Sequence, residues 1–173
     1  LDPINFLDYE KNKLNIFDID NKSKKKHVNL INQIKIANNL ANLTKYDLIT
    51  MPVNKYIFKK EINFTGMTEY LGKLNNSETV MLMYGEKFSV IPLTTHINIK
   101  NVYKNLKYKK IKEILNNLFT LLNSKKYNLN FKTVKFLCYN PHCGENNTLG
   151  DQDELILRLL KKNYKTVLGP LPA

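Results

Sequence analysis

The stretch Val134-Lys135-Phe136-Leu137-Cys138-Tyr139-Asn140-Pro141-His142-Cys143-Gly144-Glu145 decides how this chain is read. Its first half is apolar and aromatic, as a buried strand is. Asn-Pro and then glycine turn it into a loop, and that loop carries a histidine. A second stretch, Phe88-Ser89-Val90-Ile91-Pro92-Leu93, leads in the same way into Thr94-Thr95-His96. Two of the three histidines thus fall just past the ends of predicted strands. In open α/β sheets ligand sites form at the carboxyl ends of the strands, so His96 and His142 are candidate ligands of one metal ion. The alternative is that each caps a loop carbonyl or lies on the surface. They are 46 positions apart, and no local spacing motif joins them. No third ligand is evident, since His27 stands at a predicted helix start beside lysines.

Working outward, residues 14–19 and 46–51 read as strands, the latter ended by Pro52. Residues 27–43 place Val28, Ile31, Ile34, Ala37 and Ala41 at helical spacing. Residues 67–74 read as a helix entered through Thr65-Gly66, and residues 99–106 as a short one. Residues 79–84 and 88–93 read as two strands of a hairpin turned by Gly85-Glu86-Lys87. Residues 110–122 carry Ile111, Ile114, Leu115, Leu118, Leu121 and Leu122 on one face. Residues 132–139 form the strand that feeds the histidine loop. Residues 152–162 form a helix whose start Asp151 or Asp153 caps or charges, and residues 166–168 one more strand. The alternation predicts an α/β fold, a mixed sheet covered by helices. Residues 134–138 and 88–93 are expected as interior strands, with helix 111–122 packed over them.

The chain has 173 residues, 43% of them apolar, enough for one domain with a real core. It opens at Leu1 without methionine and stops at Gly169-Pro170-Leu171-Pro172-Ala173, which suggests an internal piece (residues 1–173) of a longer protein. The net charge is +12, yet it comes from 26 lysines and a single arginine, Arg158, beside 25 asparagines. Arginine supplies the planar fork that reads guanine and grips phosphate, so this charge reads as a solvated lysine surface, not a nucleic-acid interface. The one dense cluster is Lys22 with Lys24, Lys25 and Lys26. No apolar run is long enough for a membrane span and no signal-peptide pattern opens the chain, so a cytoplasmic protein is expected. Cys138 and Cys143, five apart, read either as a disulfide or as a reduced pair, and the reduced pair is expected because a core of this size needs no staple. Cys143, beside His142, is also a candidate thiolate ligand or nucleophile. No Gly-x-Gly-x-x-Gly and no P-loop is present, which excludes the standard nucleotide fingerprints.

Six blocks in order carry a resemblance. They are Leu48-Ile49-Thr50-Met51-Pro52-Val53-Asn54-Lys55, Phe64-Thr65-Gly66-Met67-Thr68-Glu69-Tyr70-Leu71, Val80-Met81-Leu82-Met83, Thr94-Thr95-His96, the Asn140 to Glu145 loop and the Gly169 to Ala173 end. Over about residues 14–173 the chain closely resembles the 4-hydroxythreonine-4-phosphate dehydrogenases of pyridoxal phosphate biosynthesis. The resemblance implies a fold like that of the isocitrate and isopropylmalate dehydrogenases, and NAD bound without the usual fingerprint. It implies a homodimer with the active site at its interface, and a divalent ion (zinc, magnesium or cobalt) held by three histidines. Two of these fall at His96 and His142. The third belongs to a Tyr-His-Asp motif of the partner subunit, which this chain does not contain.

The family's Gly-His-Thr-Glu motif, which binds substrate through its histidine and threonine, here reads Gly66-Met67-Thr68-Glu69. Thr68 can keep its role, whereas Met67 can neither donate a hydrogen bond nor carry charge. The glycine pair usual after the loop's Gly-Glu is replaced by Asn146-Asn147, and asparagine tolerates the left-handed backbone better than most residues. The helix after Gly150 is a few residues short. Lys55 reads either as a phosphate or carboxylate partner or as an ordinary surface lysine. The implied reaction is NAD-dependent oxidation and decarboxylation of 4-phosphooxy-L-threonine to 3-amino-2-oxopropyl phosphate. The rivals are a dehydrogenase of a four-carbon sugar-acid phosphate such as threonate phosphate, a degenerate dimerising remnant, and a basic nucleic-acid-binding module.

Overall fold

Apolar side chains at every third or fourth position give a helix one face to bury, and four segments here meet that condition. The computed structural model of the protein describes residues 12–13, 25–59, 64–127, 129, 131 and 133–172. The expected strand at 14–19 and two of the four cluster lysines, Lys22 and Lys24, lie outside them. The chain divides between Ser77 and Glu78 into two compact units.

In the first unit, α1 (Lys26–Thr44) buries Ile31, Ile34 and Asn38, one stripe at i, i+3 and i+7. It ends at Lys45, whose φ of 62° is left-handed. α2 (Lys55–Lys59) and α3 (Met67–Leu74) follow. Ile31 and Ile34 meet Phe58 and Phe64, which are 0% and 2% exposed, with Leu30, Val53, Met67, Tyr70 and Leu71 packed around them. The Phe58 and Phe64 rings stack at 4.5 Å. Burial of one such ring contributes about 1.5–3 kcal/mol. Asn38 is buried within this stripe because it has a partner: its Nδ2 donates to Asn75 Oδ1 at 3.0 Å, and Asn75 Nδ2 donates back at 2.9 Å. The amide pair fastens α1 to the end of α3.

In the second unit a 3-10 turn (Ile99–Asn101) and α4 (Val102–Asn105) lead into α5 (Tyr108–Leu122), which buries Ile111, Ile114, Leu115 and Leu118. Strand β1 (Val134–Leu137), helix α6 (Gln152–Asn163) and strand β2 (Val167–Leu171) form a βαβ unit. The strands pair in parallel, Val134 with Val167 and Lys135 with Leu168, as a helical crossover requires. Ile111, Leu115, Phe136, Ile156, Leu159, Leu160, Tyr164 and Val167 make the core between the helices and one face of the sheet. Lys135, Leu137 and Leu168 are exposed. Tyr164 stacks on Phe119 at 6.0 Å and donates its hydroxyl to Asn116 Oδ1 at 2.6 Å.

Burial, then the neighbouring Tyr108, raises the Tyr164 hydroxyl above its ordinary value near 10. A raised folded-state value means the contribution is complete below the unfolded value and is lost as pH rises through the folded one. We therefore expect stability to fall above about pH 10 with a component that Tyr164→Phe removes. Alkaline melts of both proteins check this, and identical slopes would contradict it.

The expected helices are found to within one or two residues at their ends, and α2 was not anticipated. The strands require correction. Residues 46–51 form no strand, and Tyr46, Ile49 and Met51 are exposed. The hairpin contracts to one antiparallel bridge, Met83 with Val90, bonded at 2.9 Å in both directions. Residues 88–93 are thus not an interior strand, and among the described residues the sheet is two parallel strands, not a mixed one. An apolar run specifies burial, but a strand needs a partner whose N–H and C=O groups stand in register. Among the described residues only β1 and β2 supply each other with one.

Candidate functional site

His142 stands where β1 hands the chain to α6. Tyr139 N and Asn140 N donate to Asp153 Oδ1 and Oδ2 at 2.6 and 2.9 Å, and Asn140 Nδ2 donates to Gln152 Oε1 at 2.8 Å. Asp153 is 3% exposed, so the first turn of α6 grips the start of the loop with a buried carboxylate. Asp151 does not cap α6 through its side chain, whereas Asp153 charges the first turn as expected and its carboxylate also holds the loop.

Past the clamp, the six residues from His142 to Asn147 all have positive φ, from 45° at Glu145 to 80° at Gly144. Gly144 is required there, since a Cβ would stand 2.7 Å from Gly150 O. Asn146 and Asn147 occupy the left-handed region at φ 56° and 71°, the conformation that asparagine tolerates. Asn147 Nδ2 donates to Glu154 Oε2 at 2.7 Å, which fixes the far side of the loop. Glu154 also pairs with Arg158. The hydrogen bond from Arg158, then that from Asn147, holds the Glu154 carboxyl below its usual range.

The loop folds back until Cys143 meets Cys138 and the two form a disulfide, Cα atoms 5.1 Å apart. The expectation of a reduced pair was wrong for this geometry. Chain composition says whether a core needs a staple, but the left-handed backbone decides which sulfurs meet.

Removing the clamp should be costly. Asp153→Ala leaves two backbone N–H groups without their acceptor, and bonds to a charged group are worth about 1.5–3 kcal/mol. We expect Asp153→Ala to destabilise the protein by at least that much, read from a denaturant midpoint. A loss within about 0.5 kcal/mol, typical of a surface substitution, would show that the clamp does not hold the loop.

His96 lies in the same unit, three residues after Leu93, which packs against the core. It too is exposed and left-handed, with φ 52°. Asn98 then opens the 3-10 turn by accepting from Lys100 N at 3.0 Å. Imidazole suits zinc, cobalt and similar divalent ions, so His96 and His142 each have the donor chemistry of a metal ligand. Among the described residues no group of three or more His, Cys, Asp and Glu side chains gathers to complete one.

In the first unit Gly66 N-caps α3 in an extended conformation, so Met67 and Thr68 are its first two helical residues. Thr68 is half-buried. Met67 packs against the Phe58 and Phe64 cluster, where a thioether fills space and a hydrogen bond is neither made nor needed. Lys55 is the exposed first residue of α2, whose second N–H, that of Tyr56, is accepted by Asn54 Oδ1 at 3.0 Å. What sequence reasoning missed is the support of the loop by Asp153, by Gln152 and by the bond between Cys138 and Cys143. The one signal was an acidic residue three places after the loop's last glycine. No helix among the described residues is long and apolar enough to cross a membrane.

Comparison with known proteins shows which family the chain resembles. A 4-hydroxythreonine-4-phosphate dehydrogenase of Aquifex aeolicus is 38% identical over 135 residues, covering 73% of this chain and 41% of that protein. One from Hydrogenobaculum is 32% identical over 127 residues, covering 72% and 40%. The crystal structure of 4-hydroxythreonine-4-phosphate dehydrogenase from Klebsiella pneumoniae superposes with a TM-score of 0.71 at 25% identity, over 84% of this chain and 46% of that one. The chain therefore spans less than half the length of these relatives. The model of the family described as pyridoxal phosphate biosynthetic protein PdxA matches residues 3–173, and the chain belongs to that family.

Proposed function

We propose that the whole protein is an NAD-dependent, metal-assisted dehydrogenase that converts 4-phosphooxy-L-threonine to 3-amino-2-oxopropyl phosphate. Family membership supports the substrate class, and the observation that carries the reading is the His142 loop clamped at the carboxyl end of β1. His96 and His142 would hold a divalent ion through neutral imidazole nitrogens, with a third histidine from the partner subunit of a homodimer. A cation held in this way supplies Lewis-acid polarisation of the substrate hydroxyl and of the ketone that replaces it. NAD, when bound, would accept the hydride lost from substrate C3, and the hydroxyl proton would be released. The resulting β-keto acid loses carbon dioxide. The rigid loop positions His142 in advance, so little reorganisation accompanies binding. A fold of the isocitrate and isopropylmalate dehydrogenase kind, and a cytoplasmic location, belong to the same proposal.

Full-length protein mixed with NAD, a divalent salt and 4-phosphooxy-L-threonine should produce NADH and aminooxopropyl phosphate. NADH from threonate phosphate alone would favour the sugar-acid reading, and NADH from neither substrate the degenerate remnant.

Met67 gives a graded check. A histidine there would restore a charge-assisted hydrogen bond worth about 1.5–3 kcal/mol, or roughly a ten- to hundredfold lower KM. Because Met67 packs on an apolar cluster, Met67→His should also lower the melting temperature. A lower melting temperature with unchanged KM would show that methionine only fills space and the substrate contact lies elsewhere.

A further inference from the structure

Cys138 and Cys143 are the pair in this loop that the proposed chemistry leaves unused. Cys138 follows β1 directly and donates its N–H to Leu171 O at 2.8 Å, so it is fixed to the end of the sheet. Cys143 comes immediately after His142. The Cα separation of 5.1 Å lies within the range a disulfide spans. The bond therefore ties the neighbour of His142 to a rigid strand end.

The tied segment needs such a link. His142 and Cys143 have φ of 48° and 55°, and non-glycine residues stay in that region only where their surroundings over-determine them. Asp153 grips residues 139 and 140 on one side, and Asn147 meets Glu154 on the other. Between these clamps the backbone bonds are long, Cys143 N to Asn140 O at 3.2 Å and Glu145 N to His142 O at 3.4 Å. The disulfide is the one covalent restraint on that stretch.

We propose that Cys138 and Cys143 form a reversible redox pair that sets the conformation of His142, closed by low-molecular-weight disulfides and opened by small thiols. In closing, one cysteine thiolate attacks the small disulfide, forms a mixed disulfide and releases one small thiol. The second cysteine thiolate attacks the protein sulfur of the mixed disulfide, forms the Cys138–Cys143 bond and expels the second small thiol. Two electrons pass from the cysteine pair to the small disulfide, and the two thiol protons end on the released thiols. A thiol reductant runs the same steps backwards. Once open, residues 142 and 143 regain backbone freedom, and the population of the left-handed His142 falls about tenfold. The effect on metal affinity rests on the role proposed above for His142, whereas the effect on the loop does not.

Full-length protein is equilibrated in glutathione buffers of graded poise, alkylated, and mapped by peptide mass. Cys138 and Cys143 should lose reactivity together at one midpoint and regain it on reduction; both remaining alkylated in the most oxidising buffer would overturn the proposal. In metal-free protein with isotope-labelled histidine, the His142 imidazole resonance should move between the two redox states and remain at its reduced position in Cys138→Ser. A resonance insensitive to redox state would overturn it as well. Zinc titration should give a Kd about tenfold weaker after reduction, and equal or tighter binding would sink the link to the metal. If zinc binds in neither state, the metal role of His142 fails, while the imidazole resonance still decides the redox pair.

Discussion

Replacing His142 with asparagine in the full-length protein is expected to lower kcat/KM for 4-phosphooxy-L-threonine by about a hundredfold or more, with loss of bound divalent ion. A cation acting as Lewis acid supplies several kcal/mol of charge stabilisation, and each 1.4 kcal/mol or so is a factor of ten. Asparagine is the right replacement because His142 sits at φ 48°, where asparagine is tolerated and alanine adds backbone strain to the lost ligand. The side chain is exposed, so the melting temperature should hardly change. His96→Asn should behave alike, since it too is exposed and left-handed. Two ligands of one ion act as a unit, so the double variant should be little worse than either single one. Activity and metal content that survive both substitutions would remove the histidines from the site and return them to ordinary loop roles.

The largest stability effect is expected at Gly169. This residue of β2 has φ 130°, a region essentially confined to glycine. A Cβ there would be driven into the carbonyl of Phe136 on the paired strand. That carbonyl is backbone and cannot swing aside as a flexible side chain would. Gly169→Ala therefore forces either β1 or β2 to move, and Phe136 and Val167 of the core move with them. Strain of about 1–3 kcal/mol from the backbone alone, plus the displaced packing, puts the loss at roughly 2–4 kcal/mol. In a chain of the relatives' length the melting midpoint should fall by about 3–6 °C. Because β1 leads into the His142 loop, metal affinity should fall with it. A midpoint within about 1 °C of the parent would mean that the two strands do not pair as described.

The two sites of the sequence reading fared differently in structural terms. His142 kept its predicted place past a strand, because Asn140-Pro141 and Gly144 are local signals and the loop obeys them. His96 kept its loop but not the long strand before it, which is reduced to the Val90 bridge. Met67 was expected as a weakened substrate contact and is found in the apolar cluster of Phe58 and Phe64, a placement no local pattern announces. The amide pair of Asn38 and Asn75 joins residues 37 positions apart, and a buried asparagine on a helix stripe gives no hint of its partner.

By itself the sequence determined the four main helices, the strands β1 and β2 and the family. Helical spacing is a property of residues within a few positions of each other, and ordered motifs are a property of the chain alone. Only the tertiary structure decided which apolar runs became strands, because a ladder needs a second backbone in register. It also decided that Asp153, besides charging the first turn of its own helix, grips residues 139 and 140, and that Cys143 reaches Cys138. The six left-handed residues that turn the loop back on β1 bring the two sulfurs together, a conformation held by the contacts on either side of it.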